Sequence, residues 1–521
     1  MKKMPKIRVL SLKDEVPTYG YWDQAFVKDM LEGLDGSDRE IFIIPGKYQN
    51  DVIPQINEEL NKFEKVLVFV TSDEEKNFNS QALSHPDMIL YSQYGSYGRP
   101  FPLGYPPDTR KILREIGYTP KYTDFTFAGQ MTHFRRRVLV DILREFIGSS
   151  KLIGEVFPSD GFARGLSREE YLKTIARSKT VICPTGTISE DSFRLYEALE
   201  SGSIPLADSI NPMSSHNGRY WEKLFVNPAF PTYASTAGVP DLIVRSVQAT
   251  GYNNWLYAWW INYKFQLRAQ LAKDLGLPEP DMVAVVPVSP IPSHPDTKVL
   301  EETLDSIRYH TDCPIVVTFD GVRKEQSKMG ENYEEFKRRM LWLINFKYKN
   351  VIPVLFDKHS HQSGMMRTFL SQSSIPLILY VEQDTPLTKD DIDWEMCKAY
   401  IRSGKANSIR FHYDHSIHPD HQYLMVGTPK DGFQQTAQWS QRPHLATKEF
   451  YQFLMSHFTP KANCFIEDYI HGVLQHAYEA GGVAGLEPWK VFIYYPKGSI
   501  KRSTHLDGRS GDYKFEKEQI W

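Results

Sequence analysis

Cysteine is scarce in this chain: there are four in 521 residues, Cys183, Cys313, Cys397 and Cys464. None stands in a CxxC pair, which argues against a zinc site and a disulfide-stapled scaffold and suits a reducing compartment. Long apolar runs are missing as well. No stretch reaches the ~18 apolar residues that span a bilayer. The most apolar segment, Trp255 to Phe265, is interrupted by Asn262 and Lys264. Lys2, Lys3, Lys6 and Arg8 precede no apolar signal-peptide core, so a soluble, cytoplasmic protein without a membrane span is expected. Excess charge of one sign is also lacking. Sixty-one Lys and Arg face 64 Asp and Glu, for a net charge of -3. That balance supplies no global pull toward nucleic acid, although a local basic groove stays compatible with it.

What is present is a globular composition, 41% hydrophobic and 24% charged. The length exceeds what one core holds, so two or three domains are expected. Aromatic residues reach 13%, with 29 Tyr and 10 Trp. Flat rings suit sugar-handling clefts, and they suit an apolar core equally.

Strand-length apolar runs alternate with helical stretches, the pattern of an open, mostly parallel α/β sheet. IRVLSL (7–12), EIFIIP (40–45) and KVLVFV (65–70) open the chain, followed by a Gly/Pro/Tyr-rich crossing at 95–107. A second alternating unit runs from FTFAG (125–129) through KLIGEV (151–156) and TVICP (180–184) to SIPLA (203–207). Residues 1–275 thus read as two Rossmann-like lobes, about 1–120 and 121–250, closed by an aromatic helix at 253–275. Leu275-Gly276-Leu277-Pro278-Glu279-Pro280 is the best linker candidate. A third alternating unit then fills 282–521, with MVAVVPVSP (282–290), PIVVTFDG (314–321), NVIPVLF (350–356) and PLILYVEQD (376–384). There is no internal repeat and no low-complexity segment.

The stretch CPTGTISEDSFRLYEALESGSIPL (183–206) carries the most chemistry in the first half. A polar Thr185-Gly186-Thr187 loop leads into a helix that Ser189 or Asp191 can cap and Gly202 can end. Free N–H groups and the positive dipole end of such a helix suit a diphosphate. Glu190, Arg194 and Glu197 fall at i, i+4 and i+7 on one face, away from Leu195 and Leu199. Arg194 can pair with phosphate and Glu197 can accept from ribose hydroxyls, so both are expected on an accessible face. The same spacing also fits a solvated, salt-bridged face.

In the second half, strand alternation at the end of PLILYVEQD places Glu382 and Asp384 on one face. Two carboxylates there are costly unless they meet water or a cation, and a divalent ion shared with a diphosphate is a natural partner. A solvated strand end is the plainer alternative. His412, His415 and His418 match no common zinc spacing and read as a polar loop. Trp439, Arg442 and His444 either line an acceptor pocket or belong to a loop packed on the core.

DSFRLYEALESGSIPL resembles the donor-site signature of exostosin-type glycosyltransferases, which have the two-lobed GT-B fold; FAGQMTHFRRRVLVDIL (127–143) and YLKTIARSKTVICPTG (171–186) are similar to the same family. The resemblance covers about residues 120–210. It implies that Arg194 and Glu197, with Gly186, contact a nucleotide sugar, and that Arg135 and Arg136 are candidates for its phosphates. The first lobe shows no motif for a catalytic base. In the second half, EQD resembles the DxD motif of GT-A-fold glycosyltransferases, with Glu in place of the first Asp. That resemblance implies a Mn or Mg ion on Asp384, with Glu382 at the donor, Asp320 at the base or ribose, and His505 as a further metal ligand. Glu467-Asp468 resembles the acidic pair that supplies the catalytic base in inverting members.

A GT-B-like half followed by a GT-A-like half is the order of the animal exostosins. The missing anchor and disulfide cysteines depart from them and fit a bacterial, viral or phage-encoded cytosolic enzyme. The implied function is hexosyl or pentosyl transfer from a nucleotide-sugar donor to a glycan or other hydroxyl acceptor. Hydroxymethylated DNA is an alternative acceptor, and a non-catalytic carbohydrate- or nucleotide-binding role for one half is a further alternative.

Overall fold

Strands such as Glu40–Pro45 and Val66–Thr71 bury nearly every side chain on both faces, as parallel strands covered by helices must. In this computed structural model, residues 6–12, 21–47, 49–95, 97–161, 164–213, 218–459 and 463–506 are described. The chain divides into two units, Met1–Glu279 and Pro280–Trp521.

The first unit holds two five-stranded parallel sheets. One is formed by β1 (Ile7–Val9), β2 (Glu40–Pro45), β3 (Val66–Thr71), β4 (Met88–Ser92) and β5 (Arg99–Pro100), in that order. The other contains β6 (Thr123–Gln130), β7 (Gly154–Ser159), β8 (Ser178–Cys183), β9 (Ile204–Asp208) and β10 (Thr232–Tyr233), in the order β10-β9-β8-β6-β7. Two Rossmann-like sheets therefore sit in one unit. The helix Arg168–Ala176 begins with a capping box between Ser167 and Glu170. The helix Phe193–Glu200 ends in a Schellman turn, with Gly202 at φ +70 and Ser203 N–H donating to Ala198 O at 2.9 Å.

The helix Tyr252–Asp274 ties the two sheets together. Its Lys264 pairs with the buried Glu200 beside the second sheet at 2.7 Å. Its Trp260 stacks on Phe26 and its Asp274 pairs with Arg99 of the first sheet. Gly276 ends this helix in a second Schellman turn, Leu277 N–H donating to Ala272 O at 2.9 Å. The glycine of the linker candidate thus works as a helix stop.

The second unit is built on one nine-stranded mixed sheet, ordered β13-β12-β11-β14-β18-β15-β19-β17-β16. Its strands are β11 (Met282–Val288), β12 (Ile315–Phe319), β13 (Val351–Leu355), β14 (Leu377–Tyr380), β15 (Ser408–Arg410), β16 (Met425–Lys430), β17 (Phe433–Thr436), β18 (His444–Thr447) and β19 (Val491–Tyr494). β11 to β14 pair in parallel, and β18 turns the sheet antiparallel. No helix among the described residues is long and apolar enough to cross a membrane.

Candidate active sites

In the first unit, the loop after β8 is fixed from three sides. Arg136, buried in the helix Phe134–Ser149, donates from Nε to Thr185 O at 3.1 Å and from Nη1 to Gln130 O at 2.9 Å. Asn211 Nδ2 donates to Gly186 O at 3.2 Å and to Ser189 O at 3.0 Å. From the first lobe, Glu74 Oε1 accepts from Ile188 N–H at 3.3 Å. Gly186 sits so tightly here that a Cβ would meet Glu74 Oε1, Ser189 O and Asp191 O, each at 3.0 Å.

Arg194 comes closest to its expected placement. It is half-buried, rests over the Phe127 ring at 5.7 Å and makes no hydrogen bond or ion pair among the described residues. Burial and then Arg194 pull neighbouring Arg136 down to about 9. Two adjacent guanidiniums, one without a counter-ion, favour an anion.

Three features of the expected face differ. The helix starts at Phe193 with Ser192 at its N-cap, so Glu190 precedes it and neither Ser189 nor Asp191 caps it. Asp191 is instead buried, accepting from Tyr196 at 3.0 Å and Tyr220 at 2.7 Å. Glu197 is 2% exposed, not accessible. It pairs with Arg168 Nη1 at 2.5 Å and accepts from Tyr171 at 2.7 Å. Arg135 is likewise occupied: it grips Asp208 with Nε at 2.8 Å and Nη2 at 2.7 Å.

No sequence motif marks Asp23, yet it lies buried close to Tyr94 (3.3 Å). Burial raises its pKa to about 7, and Glu74 adds to the rise. Tyr94 is flanked by Asp23, Glu74 and Asp191, so both lobes bring acids to one place.

In the second unit the strand β14 stops at Tyr380. Glu382 to Thr385 form a turn, closed by Thr385 N–H to Glu382 O at 3.1 Å, with Glu382 N–H donating to Thr385 Oγ1 at 3.1 Å. Strand alternation therefore does not orient the two acids; the Thr385 turn does. Asp384 Oδ2 lies 3.6 Å from His505 Nε2, and Leu506 N–H donates to Asp384 O at 2.7 Å. That backbone bond holds His505 beside the acid across more than a hundred residues of sequence.

Glu382 accepts from Gln362 Nε2, and Gln362 Oε1 accepts from Ile466 N–H at 3.3 Å. Gln362 so links the turn to the helix Ile466–Gly485, whose first turn carries Glu467 and Asp468. Burial, then Asp384 and Glu467, push Glu382 up to about 8. Glu467 Oε2 accepts from Gln441 N–H at 3.0 Å, and Asp468 is exposed. Glu382, Asp384, His505 and Glu467 are thus grouped beyond the C-terminal end of β14, while Asp468 lies near His361.

Asp320 is engaged by groups of the protein itself. Its fully buried carboxylate accepts from Ser360 N–H at 2.7 Å and His361 N–H at 3.0 Å, and His359 Nδ1 lies at 2.8 Å. It satisfies the free N–H groups at the start of the helix His361–Gln372. Among the described residues no group of three or more His, Cys, Asp or Glu could hold a metal ion.

No family model matches the chain, and no curated protein matches it. Among solved structures it is similar to S. aureus TarS, at 11% identity and a TM-score of 0.26, over 44% of this chain and 37% of that chain. It is also similar to S. aureus TarS 1-349 in complex with UDP, at 12% identity and a TM-score of 0.26, over 44% of this chain and 60% of that one. The complex of the same fragment with UDP-GlcNAc is matched at 11% identity and a TM-score of 0.26, over 44% of this chain and 58% of that one. The chain thus spans less than two thirds of the length of these structures.

Proposed function

We propose that this protein is a nucleotide-sugar-dependent glycosyltransferase that passes a sugar to a hydroxyl acceptor, with a GT-B-like first unit and a GT-A-like second unit. The reading rests above all on the grouping of Glu382, Asp384, His505 and Glu467 at the C-terminal end of a parallel strand, where open α/β sheets bind ligands.

In the second unit the acceptor hydroxyl attacks the anomeric carbon, a carboxylate of the Glu467-Asp468 pair takes its proton, and the bond to the diphosphate breaks with the electron pair leaving on the diphosphate. Asp384 and His505, 3.6 Å apart, are the two side chains that would hold a Mn or Mg ion here. When bound, such an ion supplies charge neutralisation at the leaving group. Glu382 holds Gln362, and with it the start of the base-bearing helix, in register.

In the first unit, Arg194 and the Gly186 loop bind the donor diphosphate, and Asp23 is the candidate base. Arg135, Glu197 and Asp320 shape their sites through protein partners and do not touch the donor. The test is a mass-spectrometric screen of nucleotide sugars with the full chain, with and without hydroxyl acceptors. Release of nucleotide diphosphate and a mass gain on an acceptor are expected. Absence of donor binding across the screen would end the reading.

A further inference from the structure

The segment between β17 and β18 packs against the base-bearing helix. Gln441 N–H donates to Glu467 Oε2 at 3.0 Å, and His471 Nδ1 meets Trp439 O at 3.0 Å. Trp439, 2% exposed, donates from Nε1 to Gln441 Oε1 at 2.9 Å and locks the segment. Arg442 follows at once. Its guanidinium lies over the ring of Tyr413 at 4.8 Å, and that ring is 39% exposed. Its buried Nη1 has no hydrogen-bond partner, and its side chain forms no ion pair among the described residues.

Arg410, at the end of β15 and 3% exposed, lies close to Arg442 and Glu467. Its Nη2 donates to Gln438 Oε1 at 3.0 Å, while its buried Nε has no partner. A buried guanidinium with unfilled N–H groups is costly, and a second one beside it raises the cost. Neither Glu382 nor Glu467 hydrogen-bonds to either arginine among the described residues. An arriving anion would fill these donors.

Placement decides which anion. The diphosphate belongs on the Asp384–His505 side. Arg442 follows the residue whose backbone N–H donates to Glu467, and it lies near Glu382 as well, between the base and the turn. A base meets the acceptor hydroxyl, so a cation beside the base meets the rest of the acceptor. We propose that the acceptor of the second unit carries a negative charge near its reactive hydroxyl, a carboxylate or a phosphate ester, and that Arg442, backed by Arg410, binds it. This inference rests on the glycosyltransferase reading.

The test uses the full chain in an Arg194→Ala background, so that the second unit reports, with the nucleotide sugar it binds most tightly and four probes in two pairs. Methyl glucuronide is set against methyl glucoside, and glycerol phosphate against glycerol. Faster transfer to at least one charged probe than to its neutral twin is expected, and the preferred pair separates carboxylate from phosphate. Arg442→Gln should raise the KM for the charged probe ~10- to 100-fold, the loss of a charge-assisted contact. Arg442→Lys should recover part of it, and donor Kd by calorimetry should stay constant in both. Donor turnover that no charged probe accelerates over its twin would overturn the inference. So would a Kd for the donor weakened by Arg442→Lys and Arg442→Gln alike, which would assign Arg442 to the diphosphate. If the wild type binds no nucleotide sugar, the glycosyltransferase reading itself falls, and this inference with it.

Discussion

Arg194 passes against Gly129: a Cβ on that glycine would stand 2.0 Å from Arg194 Nη2. The end of β6 therefore has to be bare for the guanidinium to lie where it does. Gly129→Ala should push Arg194 aside and weaken nucleotide diphosphate binding to the first unit about tenfold, approaching the loss in Arg194→Ala. Calorimetry with the nucleoside diphosphate that the donor screen identifies, in an Asp384→Ala background that silences the second site, checks this. Undiminished affinity in Gly129→Ala would separate Arg194 from the anion.

Arg194 and Glu197 lie one turn apart on the same helix and should behave oppositely. Arg194 has no described polar partner, so Arg194→Ala should shift stability by under ~1 kcal/mol. Glu197 is buried against Arg168 and Tyr171. Glu197→Ala removes one counter-ion of Arg168, which keeps Asp108 at 3.2 Å, and unpairs the Tyr171 hydroxyl, so it should cost about 2 kcal/mol. Urea titrations of the two variants give the comparison; equal midpoints would remove the distinction.

Local rules made part of this legible in the sequence. Gly202 and Gly276 each stop a helix, because a left-handed residue closes the last carbonyls, and glycine adopts that conformation freely. Apolar runs marked β3, β8, β11 and β14 because parallel strands are buried on both faces. What escaped depended on distant partners. Glu197 looked accessible because Arg168, nearly thirty residues earlier, is its counter-ion. Asp320 looked like a ligand contact because the N–H groups it satisfies belong to Ser360 and His361. Alternation failed at Glu382 and Asp384 because the Thr385 hydroxyl ends the strand early. Arg410 and Arg442 carry no motif: sheet pairing of β15 places the first, and the Gln441 N–H bond to Glu467 places the second.

Asp191 gives a pH signature. Burial raises its pKa to about 7, above its ordinary 3.8, despite hydrogen bonds from Tyr220 and Tyr196. A raised carboxyl pKa means that the folded state holds a proton the unfolded chain releases. Its stabilising effect is therefore complete below about pH 4 and is lost as pH rises through about 7. Asp191→Asn should be flatter in this window and gain on the wild type between pH 5 and 8. Thermal melts across that range decide it; parallel curves for the two proteins would show that Asp191 ionises normally.

The second unit should separate chemistry from stability most cleanly at Asp384. Its carboxylate has His505 Nε2 at 3.6 Å as its described side-chain partner, so removing it breaks little of the fold. Yet it stands where charge develops on a departing diphosphate, and stabilisation there acts on the rate. Asp384→Ala should abolish most transfer by this unit while leaving the melting temperature within a few degrees. His505→Ala should weaken the dependence on Mn or Mg, and EDTA should reproduce the loss. The base is resolved by comparing Glu467→Gln with Asp468→Asn, the true base costing ~10²- to 10⁴-fold in kcat with donor Kd retained. Glu467 is anchored by Gln441 N–H, whereas Asp468 is exposed, so Glu467→Gln should also loosen the Gln441 segment and raise acceptor KM. Measurements use an Arg194→Ala background, so that transfer reports the second unit alone. Full activity in EDTA, or an active Asp384→Ala enzyme, would remove the metal assignment and leave the half-buried acids after β14 as a structural turn.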